Sequence, residues 1–251
     1  MESQLFMKEH CLSTLSDASV ICTIQVHHMA ELANALKEIG LHGSRPTFVL
    51  VGGASGLTED YLDCLRQLFV ERLAPLAEEA GAYVVDGGTD AGIMSLMGQA
   101  RVEIGGTFPL VGVAAIGTLV FPNIKNSFTD AATLEPNHSH LVLVPGCQWG
   151  DESPWIAKVA TILSNNAPSV TVLVNGGQVA LQDVRNSIIA DRPVVVVDGS
   201  GRTADKLAAA LRGDEVDVEA TELATSGKLT AIDLSNGFNP VARAIARMLS
   251  A

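Results

Sequence analysis

Positive charge is scarce in this chain: 16 Lys and Arg stand against 28 Asp and Glu, for a formal net charge of −12. Affinity for DNA, RNA or an anionic membrane rests on clustered basic side chains, so nucleic acid and membrane are excluded as partners. Aromatics are only 4% of the residues, so smaller aliphatic side chains must fill the core. The four cysteines (Cys11, Cys22, Cys64, Cys147) form no CxxC pair, which argues for reduced thiols and against a zinc ribbon. Apolar runs such as Phe108–Ile116 are too short and Gly-rich to span a bilayer. The opening MESQLFMKEHCLSTLSDAS carries acids and lacks the basic start and apolar run of a secretion signal, so a cytoplasmic location is expected. There is no Walker A loop with its Lys-Ser/Thr pair and no clean G-x-G-x-x-G after the first strand. Ser55 in GGASGL falls one residue off the Gly-x-Ser-x-Gly elbow of a hydrolase.

What the chain does have is one theme repeated: a short β-branched run, a Gly-containing turn, then a helical pattern. Val20–Val26, Thr47–Val51, Ala82–Val85, Leu110–Ala114, Leu141–Val144, Val170–Val174, Val194–Val197 and Ala231–Leu234 are predicted strands. Helices are predicted over Met29–Ile39, Thr58–Glu79, Ile93–Glu103, from Ser153-Pro154 onward, and over Leu181–Ala190, Thr203–Leu211 and Pro240–Leu249. Strands alternating with helices imply right-handed crossovers, and runs such as VVVV suit strands buried on both faces. The expected fold is a modified Rossmann-like three-layer α/β/α sandwich with a mainly parallel sheet. With no linker composition anywhere, one domain is expected over residues 1–251. Residues 1–45 would be an N-terminal extension with one strand and one helix, and 46–251 the core.

Ligands of such sheets bind beyond the carboxyl ends of the strands. Four predicted strands end there in glycines: Gly52-Gly53, Gly87-Gly88, Gly176-Gly177 and Gly199-Ser200-Gly201. Each lets the backbone approach a ligand, and the following helix offers unpaired N–H groups suited to phosphate. The expected phosphate cradle comprises the turn Gly52, Gly53, Ser55 and Gly56 and the turn Gly87, Gly88, Thr89, Asp90 and Gly92. Asn175, Gly176, Gly177 and Gln178, with Gly199 and Ser200, would close the other side. Arg185 and Arg202 are possible phosphate neutralisers from their helix starts.

Three segments carry a resemblance: GGTDAGIMSLMG (Gly87–Gly98), LEPNHSHLVLVPG (Leu134–Gly146) with WGDESPW (Trp149–Trp155), and VLVNGG (Val172–Gly177). They resemble the SLOG superfamily, which includes the Lonely-guy phosphoribohydrolases and the DNA-processing protein DprA. The similarity is greatest to the LSDAT branch, the prokaryotic-type relatives of the cytosolic N-terminal region of melastatin-type TRP channels. The resemblance spans roughly residues 45–200. It implies a nucleotide-derived ligand of the ADP-ribose or NAD-derived class, sensed rather than transformed, and self-association into a homodimer or homotetramer. The phosphoribohydrolases cleave an N-glycosidic bond with the Glu of a PGG-x-G-T-x-x-E motif; here that stretch reads Asn175–Asp183, with Gly-Thr replaced by Val-Ala and Gln182-Asp183 at the acidic position. No catalytic residue is therefore assigned. Asp183 would be the substitute carboxylate if the chain were a hydrolase, and a vestigial cleft on an assembly module is the remaining alternative.

Ribose or base contacts are expected from Glu135, Asn137 and His138, and from Gly146, Trp149, Asp151 and Glu152. Trp149 is a candidate for stacking on a purine or for anchoring its loop. Asp151 and Glu152 would either bind ribose hydroxyls or stabilise the helix start at Ser153. His138 and His140 fall on one face of a strand start, but no third ligand is suitably spaced, so no metal site and no cofactor are expected.

Overall fold

The structure, a computed structural model, describes residues 5–8, 11–16, 19–53, 58–120 and 130–250. Its strands are β1 (Leu5–Lys8), β2 (Cys11–Ser16), β3 (Ser19–Gln25), β4 (Thr47–Gly52), β5 (Tyr83–Asp86), β6 (Leu110–Ala115), β7 (His140–Val144), β8 (Ser169–Val174), β9 (Val194–Asp198) and β10 (Leu229–Asp233). They form one sheet in the order β1-β2-β3-β7-β6-β5-β4-β8-β9-β10. From β3 to β10 every neighbouring pair is parallel, as the continuous Val-rich runs predict. β1 and β2 add to the β3 edge in antiparallel fashion, so the N-terminal extension holds two strands beyond the one expected.

The helices are α1 (Leu32–Glu38), α2 (Glu59–Leu68), α3 (Ala74–Glu79), α4 (Gly92–Glu103), α5 (Ser153–Ser164), α6 (Gln178–Ile189), α7 (Arg202–Arg212), α8 (Val218–Ala224) and α9 (Phe238–Leu249). Strand alternation divides the core between them. Val49 and Val51 face a layer containing Leu36, Val159, Leu181 and Leu207 of α1 and α5–α7. Phe48 and Leu50 face the opposite layer, with Leu65, Met97 and Ile245 of α2, α4 and α9. The three-layer sandwich expected from the sequence is what forms. The helix predicted over 58–79 contains a π turn at Phe69–Leu73. Pro75, with no N–H to give and a ring that clashes with the carbonyl four residues back, accounts for that widening. No described helix is long and apolar enough to cross a membrane.

From β4 the chain steps through β5 and β6 to β7 on one side, then returns to place β8, β9 and β10 on the other. The crevice beyond β4 and β8 is thus the topological switch point of the sheet. Gly52 closes β4 there with φ +136, and a Cβ on it would stand 1.9 Å from the Val174 carbonyl oxygen. The Gly53 N–H donates to that same oxygen at 3.1 Å. Glycine at 52 is therefore what lets the two halves of the sheet meet. Gly52→Ala is expected to lower stability by about 3 kcal/mol, through strain and overpacking against backbone. A fall in the urea midpoint with an unchanged m-value would verify it.

Candidate functional site

Two adjoining cavities open at the switch point. The outer cleft, about 750 Å³, is walled by Gly52 and Gly53, by Thr89, Gly92 and Ser95 around the start of α4, and by Trp149. A smaller recess of about 170 Å³ shares Gly52, Thr89 and Trp149 and extends to Gly87, Glu152 and Asp183. Trp149 is held by its indole N–H, which donates to Asp130 Oδ2 at 3.2 Å. No described side chain caps α4, whose first residue is Gly92.

Behind the Gly87-Gly88 turn lies a buried chain of charge. His138 Nε2 meets Asp86 Oδ1 at 2.8 Å, and its Nδ1 meets Glu135 Oε2 at 2.8 Å. All three side chains are at most 1% exposed. Burial alone would strip the ring of its proton, but the charge and hydrogen bond of Asp86, joined by those of Glu135, reverse this and lift its pKa to about 9. The imidazolium therefore sits between two carboxylates. Asp86 Oδ1 also accepts the Gly88 N–H at 2.8 Å, while Glu135 accepts from the Asn137 backbone and side-chain amides at 2.8 and 2.6 Å. The glycines make room for this: a Cβ on Gly98 would lie 2.2 Å from the Glu135 carboxyl carbon, and one on Gly112 would lie 2.6 Å from Gly88 Cα.

This geometry corrects several sequence-based placements. Glu135 and His138 are buried and bond to each other, and the half-buried Asn137 donates to Glu135, so none of the three is on the wall of either cavity. The N–H groups of Gly53, Gly88 and Asp90 donate within the protein, to Val174, Asp86 and Thr133. The second pair of turns is self-contained as well. Asn175, fully buried with φ +57, donates its N–H to the Ser200 hydroxyl oxygen at 2.7 Å and its side-chain amide to the Ser200 carbonyl at 2.9 Å. The N–H of Gly176 donates to Asn175 Oδ1, and that of Gly199 to Asp205. Gly177 packs by the Arg202 guanidinium, and Gln178 reaches toward Glu219 at 3.3 Å. Arg185 pairs with Glu219. Gly146 packs against Asp151, whose carboxylate holds the N–H groups of Cys147 and Gln148, so Asp151 anchors its loop. His140 stands apart from His138: burial lowers its pKa to about 4, and its Nδ1 meets Ser139 Oγ at 2.8 Å. What the structure brings to the cavities is Gly52, Gly53, Gly87, Thr89, Gly92, Trp149 and Glu152. Ser55 and Gly56 lie outside the described residues.

Asp183, which the sequence reading held back as a substitute carboxylate, is the residue the site adds. It lies buried on α6 with Glu152 and Ser153 nearby. Burial pushes its pKa up to about 7, the Ser153 hydroxyl opposing and the Glu152 charge adding. Burial also raises Glu152, against the Gly150 amide that donates to it, with Asp151 adding. Asp183 Oδ1 and Ser153 Oγ are both buried, and the Ser153 hydroxyl is the polar group beside the Asp183 carboxyl. A carboxyl in such surroundings keeps its proton near neutrality. It is also a recognised mark of a functional site.

A family model described as "SLOG in TRPM, prokaryote" matches residues 45–243. The rat transient receptor potential cation channel subfamily M member 2 is 28% identical over 191 residues, 61% of this chain and 13% of the channel. Its mouse counterpart is 28% identical over 179 residues, 57% of this chain and 12% of that channel. The subfamily M member-like 2 channel of Nematostella vectensis is 27% identical over 227 residues, 75% and 14% of the respective lengths. The chain thus spans between 12% and 14% of the length of these curated relatives.

The two ionisable clusters give opposite mutational outcomes. His138 has a raised pKa, so its stabilisation is fully present below pH 6.5 and is lost as pH climbs through about 9. His138→Gln is expected to remove that dependence and to cost about 3–5 kcal/mol, because two buried carboxylates lose their counter-ion. For Asp183, the folded chain retains a proton that the unfolded chain releases between pH 3.8 and about 7. Stability therefore falls as pH rises across that window and stays low above it. Asp183→Asn is expected to flatten the curve and to raise stability at pH 8 by about 2 kcal/mol. Urea unfolding from pH 4 to pH 9 checks both; a less stable Asp183→Asn at pH 8 would refute the second.

Proposed function

The chain belongs to the prokaryotic SLOG-in-TRPM family, and on that premise we propose that it is a nucleotide-binding sensor module whose ligand is of the ADP-ribose or NAD-derived class. The observation that carries the reading is the start of α4, which no described side chain caps, on the wall of the 750 Å³ cleft, with Trp149 on the same cavity. Unpaired N–H groups and the positive end of the helix dipole suit phosphate without any lysine or arginine. An indole beside them suits a base, which stacks on aromatic faces whatever its identity. The cleft volume lies within the range of about 300–1,000 Å³ common to small-ligand sites.

A second reading, hydrolysis of a nucleotide N-glycosidic bond, is favoured by one observation: Asp183 is a buried, proton-holding carboxyl lining the recess. One experiment separates the two. Thermal unfolding is followed with ADP-ribose, NAD, cyclic ADP-ribose, AMP and ATP, and each mixture is then chromatographed. A ligand at 100 times its Kd stabilises by about 2.7 kcal/mol, so binding raises Tm. Intact ligand supports the sensor, and released base or ribose phosphate supports the hydrolase. Trp149→Ala is expected to weaken nucleotide binding about tenfold. No Tm shift with any of the five would refute the nucleotide reading.

A further inference from the structure

The sheet ends on β10, whose one strand neighbour among the described residues is β9. In that parallel ladder Leu229 stands opposite Val194, and the Val194 N–H donates to the Lys228 carbonyl at 2.9 Å. Parallel bonding engages alternate residues of a strand. Lys228, Thr230 and Ile232 therefore turn their backbone groups toward β9, and Leu229, Ala231 and Asp233 turn theirs outward. A row of outward N–H and C=O groups is a template for a further strand. Natural edges block such pairing with proline, a bulge or charges along the strand. β10 reads LTAID, pairs with β9 without a bulge and carries its one charge on its last residue. Nor do the helices overhang it: α7 packs more on β9 than on β10, and α9 more on β8 and β9. Ala231 and Ile232 are half-buried, each packed on a different layer of the core.

The ends of the strand say what pairs with it. Lys228 precedes β10, held at the surface by Asp191, and Asp233 closes it. A parallel neighbour of the same sequence would set lysine beside lysine and aspartate beside aspartate. An antiparallel one brings each Lys228 alongside Asp233 of the other copy, which is favourable. The small side chain of Ala231 falls at the midpoint. We infer that β10 pairs antiparallel with β10 of a second copy of this chain, across a twofold axis at Ala231. Ala231 then exchanges both backbone bonds with its own equivalent, and Leu229 does so with Asp233 of the second copy. Such a contact is self-complementary and closes at the dimer. β8 and β9 separate it from β4, so it leaves the cleft open and does not depend on what the cleft binds.

Sedimentation velocity of the full chain over a concentration series tests it, with Ala231→Pro as the decisive variant. Proline at 231 removes an outward N–H and leaves the ladder to β9 intact, the one place where a strand tolerates it. By symmetry the change deletes a bond on each side of the axis, so the dimer dissociation constant is expected to rise at least about tenfold. Amide exchange gives a second reading. The Ala231 N–H is expected to slow as protein concentration rises, and the Thr230 N–H, bonded to β9 in either state, to stay constant. Lys228→Glu sets like charges together across the axis and should weaken the dimer too, with circular dichroism showing which variants fold. A wild type that is monomeric at every concentration overturns the assignment. So does a folded Ala231→Pro that dimerises as the wild type does. If the proline variant does not fold, an unchanged constant for Lys228→Glu overturns it instead. A wild-type tetramer that falls to dimers in Ala231→Pro supports the β10 edge as one of its contacts.

Discussion

The Asp86–His138–Glu135 charge chain is the constraint on which the cleft depends. An imidazolium buried between two carboxylates is tolerable only if every member is held in place. The fold meets that demand with backbone: Gly88 and Asn137 donate their N–H groups, and the Glu135 N–H returns to the Gly88 carbonyl at 3.1 Å. In doing so it ties the end of β5 to the segment leading into β7. Thr89, at the end of the same turn, is thereby set on the wall of both cavities. The shape of the cleft is inherited from a cluster that does not face it.

The second acidic cluster has the opposite character. Asp183 and Glu152 are buried together with no opposing cation among the described residues acting on either, and the chain is less stable for it at neutral pH. Burying a polar group without a partner is a cost that folds retain where the group has other work. Paired charge thus supports the site from behind, and carboxyls without a counter-ion among the described residues line it.

Much of the fold is legible in the sequence because its elements are dictated locally. Runs such as Val194–Val197 can only be doubly buried strands, and the glycine turns after them announce the crossovers. Where the reading failed, the deciding partner was distant. Asp86 and His138 are 52 residues apart, and nothing near Gly87-Gly88 indicates that the turn serves a carboxylate of its own chain instead of a phosphate. Asn175 and Ser200 repeat the lesson across 25 residues. Helix α8 was missed because seven residues carry little periodicity, and its one local signal is Asp217, whose side chain caps Ala220. The apolar-periodic helix over 58–79 concealed its π turn, though Pro75 marked the place. Asp183 was visible as a carboxyl near the right position. That it would be buried beside Glu152 required the packing of α5 on α6.

Gly98 stands where a side chain would strike the Glu135 carboxyl, so the signature GIMSLMG is in part the imprint of a residue 37 positions further along. Positions 98 and 135 are consequently not independent letters. A chain that kept the fold while placing alanine at the first would need a shorter acid, or none, at the second, and His138 would then lose one of its two counter-ions. Drift at these sites is therefore confined to coordinated exchanges. A glycine motif of this kind can outlast changes in what the neighbouring cleft binds, because its keeper is the protein's own interior.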